Sequence, residues 1–148
     1  MKSKSWIVLF LVFVLSCSAL CACGSVELDE NEELSYQNAL QLRDMLKDPD
    51  SFKLYDTMYV LKQYYDDGTL FTTYCVFEYG GTNSYGGMIK STAIFENNQY
   101  IMDFDDDFDS LTDKQIVARA IVYLGDSVDN VERIDIDIQK IKDKMNLE

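Results

Sequence analysis

The chain contains no histidine, and that absence removes whole classes of chemistry. No Ser-His or Cys-His nucleophile pair can be built from it, and no zinc site that uses imidazole. Cations are scarce as well: 13 Lys and Arg stand against 26 Asp and Glu, a net charge of −13. Affinity for nucleic acid rests on cations that neutralise phosphates, so nucleic acid is excluded as a partner. No unbroken apolar run is long enough to span a bilayer. Residues 6–15 form a stretch of ten, about 15 Å of helix and roughly half the hydrocarbon core. Cysteine is also thin beyond the N-terminus. After Cys23 the only thiol is Cys75, so no intramolecular disulfide is expected in the domain. What is abundant is apolar and aromatic residue, 47% and 13% of 148 residues. A disordered chain does not have that composition, and the length fits one domain.

The N-terminus is built in three parts. Lys2 and Lys4 precede the apolar run from Trp6 to Leu15, and a small, cysteine-rich exit from Ser16 to Gly24 follows. A basic region, a short apolar region and a small-residue exit make a secretory signal. Leu20-Cys21-Ala22-Cys23 resembles the lipobox of bacterial lipoproteins: aliphatic at −3, small at −1, cysteine at +1. The resemblance covers the first 24 residues. It implies that residues 1–22 are a signal peptide and that Cys23 receives a diacylglyceryl thioether, with acylation, palmitate for instance, of the new amine. Cys21 follows Leu20, which fits the −1 position badly, and Cys17 leaves a shorter spacing from the apolar run.

Two or three acyl chains make a stable anchor, since each buried CH₂ contributes about 0.8 kcal/mol. The expected location is therefore the outer face of the bacterial cytoplasmic membrane, with the covalent lipid as the membrane contact. Loss of Lys2 and Lys4 with the signal leaves 26 acids against 11 bases, a net charge of −15. An anionic leaflet repels such a domain, so the domain is expected to stand off the surface. Glu27, Asp29, Glu30, Glu32 and Glu33 put five carboxylates into seven residues. Like charges extend a segment, so residues 23–34 read as an acidic tether.

Residues 35–148 then read as a single α+β domain. A first helix is expected from Ser35, a good N-cap, to about Lys47, with Ala39, Leu42, Met45 and Leu46 on one face. Pro49 stops it. From Phe52 the period changes to two, and Thr57 to Tyr64 reads as a strand. Asp67-Gly68 is a hairpin turn, Thr69 to Tyr79 the returning strand, and residues 80–87 a glycine-rich loop. Met88 to Glu96, the turn at Asn97-Asn98, and Gln99 to Phe104 complete a four-stranded antiparallel meander, each connection being too short for a crossover. Thr112 and Gln115 read as a capping box opening a second main helix through Leu124. Alternating Ile134, Ile136 and Ile138 favour an extended segment; Ile138, Ile141 and Met145 favour a brief terminal helix. Two helices on one face of a four-stranded sheet give a two-layer architecture. With one face covered, some of the sheet's eight tyrosines are expected in solvent, where Tyr makes a good binding surface. Cys75 falls inside a β-type run and reads as a buried structural thiol.

Three candidate sites follow. Asp103, Asp105, Asp107 and Asp109 alternate like the ligands of a calcium loop. Read from Asp103, however, the sixth residue is Phe108 in place of Gly, and the twelfth is Lys114 in place of the bidentate Glu. That run is at most a weak site for a hard divalent cation, and otherwise a solvated connection. The second candidate is Tyr79-Gly-Gly-Thr-Asn-Ser-Tyr-Gly-Gly87, which matches neither a dinucleotide fingerprint nor a P-loop. Together with Leu46-Lys-Asp-Pro-Asp-Ser-Phe52, it resembles a group of small secreted and lipid-anchored proteins of Gram-positive bacteria. In these a helix ends in a Leu-Lys-x-Pro-x-Ser step, and a hairpin carries Asn, here Asn83, before an aromatic-Gly pair, here Tyr85-Gly86. The resemblance implies a fold and a location. The third candidate, hydrolysis by paired carboxylates, has no carboxylate whose burial is evident in the pattern. The expected function is a non-catalytic, lipid-anchored extracytoplasmic domain that needs no cofactor. It binds a protein or envelope component, with Tyr79, Asn83 and Tyr85 as the contact candidates. A calcium-binding lipoprotein is the alternative, and a small hydrolase the third reading.

Overall fold

The computed structural model describes residues 26–83, 85–104, 112, 115 and 130–147. Cys23, Asp105, Asp107, Asp109 and nearly all of the expected helix from Thr112 to Leu124 lie outside the described residues. The opening of that helix is visible in part. Gln115 Oε1 accepts the Thr112 amide at 2.8 Å, and Thr112 Oγ1 accepts the Gln115 amide at 3.4 Å.

The element order is α1 (Glu30–Met45), a 3₁₀ turn (Pro49–Ser51), β1 (Lys53–Tyr64), β2 (Leu70–Thr82), β3 (Met88–Glu96), β4 (Gln99–Phe104), β5 (Val131–Asp135) and α2 (Ile138–Met145). The five strands form one open antiparallel sheet in the order β4-β3-β2-β1-β5. The meander is as the sequence implied, and the extended segment near Ile134 adds a fifth strand beside β1. The fold is α+β.

Helix α1 starts five residues before Ser35, inside the expected tether. Asp29 is the N-cap: its carboxylate accepts the amides of Asn31 and Glu32, while Glu32 accepts the Asp29 amide. Acids that would repel one another in an extended chain are favourable in a first turn, where free amides and the helix dipole meet them. Ser35, expected as the cap, is instead fully buried on the helix's inner face.

That inner face packs on one side of the sheet. Ala39 and Leu42 meet Phe52, Leu54, Met58, Cys75, Phe77, Tyr79, Ala93 and Phe95, and α2 adds Ile141 and Met145. Phe77 and Phe95 stack at 5.8 Å between centroids, and Tyr100 meets Phe95 edge-on at 5.5 Å. By alternation along the strands, Tyr59, Leu61, Tyr74, Val76 and Ile94 belong to the other side of the sheet. None of them is more than 2% exposed. Of the eight tyrosines, Tyr65 and Tyr85 meet solvent, as expected for some of them, but both lie outside the strands; on the strands Tyr59 and Tyr74 are buried on the second face as well.

Strand β2 also runs further than expected. Gly80 and Gly81 pair with Lys90 and Ile89 of β3, and the strand passes close beneath its neighbours there. A Cβ on Gly81 would stand 2.9 Å from Leu46 Cδ1. The connecting loop shrinks to residues 83–87.

Candidate functional site

The 83–87 loop is held by one side chain. Asn83 Oδ1 accepts the amides of Tyr85 and Gly87, both at 3.0 Å. The Asn83 amide donates to the Gly87 carbonyl at 2.9 Å, and the Gly86 amide to the Asn83 carbonyl at 3.0 Å. Gly86 takes φ +82°, a conformation open to glycine and costly for other residues. These four hydrogen bonds tie together the backbone at Asn83, Tyr85, Gly86 and Gly87.

What the loop presents is apolar. Tyr85 is 97% exposed, and Met88 and Ile89, at the start of β3, are about half exposed. From Tyr79 to Ile89 there are eleven residues without a charge, in a chain that is 26% charged. The base of this tip is neutralised locally: Lys90 Nζ lies 2.7 Å from Glu78 and over the Tyr55 ring at 5.0 Å. The 3₁₀ turn braces one side, the Thr82 amide donating to Ser51 Oγ at 2.9 Å.

Of the three contact candidates, the structure separates the roles. Tyr85 is a free surface, Asn83 is the brace behind it, and Tyr79 is not a contact residue. Tyr79 is 3% exposed because it lies on the same side of β2 as Cys75 and Phe77, under α1. Its hydroxyl donates to Asp103 Oδ2 at 3.0 Å, and Tyr100 is a second phenol raised beside the same carboxylate. Burial first, and then the neighbouring Asp103 charge, hold both phenols well above their ordinary range. Met88 and Ile89 escaped the sequence reading. Their signal was two consecutive apolar residues at a strand start, where strict alternation would have placed only one inward.

Asp103 thus accepts the Tyr79 hydroxyl, which is the role β4 gives it. No group of three or more potential metal ligands occurs among the described residues. No helix among them is long and apolar enough to cross a membrane.

Two further features lie on α1. A shallow groove of about 660 Å³ is lined by Gln37, Asn38, Gln41, Asp44 and Met45 together with Asn98 of the β3–β4 turn. Beneath it, Ser35 and Asn38 face the Cys75 thiol, with Ser35 Oγ at 3.5 Å. Burial pushes that thiol up to about 11, against the opposing pull of Ser35 and Asn38. A protonated, enclosed thiol is not a nucleophile. No family model, curated protein or solved structure matches the chain.

Proposed function

We propose that this protein is a lipid-anchored extracytoplasmic binding domain whose contact surface is the 83–89 tip. The observation that carries the reading is Tyr85, almost fully exposed on a loop whose backbone Asn83 already fixes. A backbone ordered in advance loses less freedom on binding, and exposed Tyr is a frequent binding hot spot. Among the described residues the enclosed thiol is held protonated, and the buried Glu32 is engaged by the Asp29 amide and by Lys140.

Attachment rests on the lipobox resemblance at Cys23. The folded body starts close to it. Lys144 Nζ donates to the Val26 carbonyl at 3.1 Å, and Leu28 packs on the core. Only Gly24 and Ser25 therefore separate Cys23 from pinned backbone at Val26, three steps of chain and at most about 10 Å when extended. The domain is held near the leaflet by its lipid and does not stand off on a long acidic tether. Cys23→Ala is expected to release the protein into the medium or leave unprocessed precursor, with a diacylglyceryl group found on residue 23 of the wild type by mass spectrometry. Full membrane association of cleaved Cys23→Ala protein would overturn the anchor. For the tip, Tyr85→Ala should reduce position-specific crosslinking of the protein in intact cells without changing its stability. An unchanged crosslinking pattern would overturn the contact surface.

A further inference from the structure

The chemistry of the tip, taken with the charge of the whole domain, selects among the surfaces that could cover it. Tyr85, Met88 and Ile89 offer an aromatic and two flexible aliphatic side chains, with no charge in the eleven residues around them. Such a group gains by entering an apolar pocket and offers few polar partners to a hydroxyl-rich glycan. The flanking charges are mixed: Asp48 and Asp50 lie on one side of Ser51, Lys47 and Lys53 close by, and Lys90 is paired with Glu78. These local charges nearly cancel, so the long-range field is that of the chain as a whole, which carries −13, or −15 once residues 1–22 are removed. That field repels an anionic leaflet and a second copy of this chain alike, and it attracts a basic surface.

Resting on the tip as the contact surface, we infer that its occupant is a protein with an apolar pocket for Tyr85 inside a rim of Lys and Arg. The pocket buries Tyr85, Met88 and Ile89 and sets the lifetime of the complex. The rim meets the acidic body and sets the rate of encounter, which falls as salt screens charges beyond about 8 Å at physiological ionic strength.

The test uses the full-length lipidated protein in cells, with a photoreactive phenylalanine analogue replacing Met88. The expected result is one protease-sensitive adduct whose partner has a basic surface. Its yield should fall at least fivefold with Tyr85→Ala, and several-fold in spheroplasts at 0.5 M salt. Tyr65→Ala, at an exposed tyrosine of the β1–β2 turn, should leave it unchanged. An adduct with an acidic partner, or one insensitive to salt, overturns the inference while leaving the tip as the contact surface. An adduct insensitive to Tyr85→Ala overturns the contact surface itself. Two other occupants are read separately. The only tryptophan, Trp6, lies in the signal segment, so Tyr85→Trp gives the mature protein a single reporter. A blue shift of its emission on reconstitution into phosphatidylglycerol vesicles, compared with neutral detergent, would assign the tip to the membrane. Dimerisation in detergent by sedimentation equilibrium, lost in Tyr85→Ala, would assign it to a second copy. Either result refutes a basic protein partner.

Discussion

Asp29 and Asn83 perform the same local chemistry at two places, and what lies beyond each is opposite. Each side chain accepts two backbone amides a few residues ahead of it. At Asp29 the ordered backbone becomes α1, whose inner face closes the core, and the cap is tied down further by Lys140 on Glu32 at 2.7 Å. At Asn83 the ordered backbone leads only to Tyr85, which touches almost nothing. Order that feeds a core is explained by the stability it supports. Order that ends in solvent contributes little to folding, and that contrast is why we propose the tip as a binding surface.

The comparison breaks first if core and tip respond alike to truncation. Phe77→Ala removes a fully buried ring stacked on Phe95, and is expected to cost about 3–5 kcal/mol in urea unfolding. Tyr85→Ala should change the same midpoint by less than about 0.5 kcal/mol. A comparable loss at both positions would mean that the tip is part of the folded core.

The second test sets cap against cap. Glu32→Ala removes the acceptor of the Asp29 amide and the partner of Lys140 together, and is expected to cost about 1–2 kcal/mol. Asn83→Ala should leave global unfolding nearly unmoved. It should instead raise hydrogen exchange at the Tyr85 and Gly87 amides about tenfold, because those two donors lose their acceptor. Unchanged exchange there would show that the loop is held by something other than Asn83.

The smallest effect is absent at neutral pH. Tyr79 and Tyr100 have phenols raised by burial and by Asp103. A raised folded-state value means that their contribution is fully present below pH 10, the ordinary phenol value. It is lost as pH climbs through the folded values. Absorbance at 295 nm should therefore show a late phase above pH 10 that coincides with unfolding, and Tyr79→Phe should diminish it. Titration of every tyrosine near pH 10 with the fold intact would contradict the buried assignment.

Local pattern was enough for most of the secondary structure. Period-two runs, Asp67-Gly68, Asn97-Asn98 and the isoleucines from 134 to 141 encode strands, turns and the last helix within a few residues of chain. Two positions resisted for physical reasons. Five clustered carboxylates look like an extended segment until free helix amides are placed next to them, and only the reciprocal bonds of Asp29 and Glu32 supply these. Tyr79 reads as the last residue of a strand next to a glycine loop, a place for a contact residue, until the strand is carried through Thr82, which the partners in β3 decide.

By itself the sequence determined the α+β class, the meander order, the exclusion of histidine chemistry and the acidic field, since each depends on composition or on neighbours close in the chain. Tertiary structure alone decided which tyrosines of the strands are enclosed. Tyr55, Tyr59, Tyr64 and Tyr74 all stand in period-two strand sequence, yet Tyr59 and Tyr74 are buried while Tyr55 and Tyr64 are only half-buried. The difference comes from what the rest of the chain lays over each position, and that is set by contacts between residues far apart in sequence.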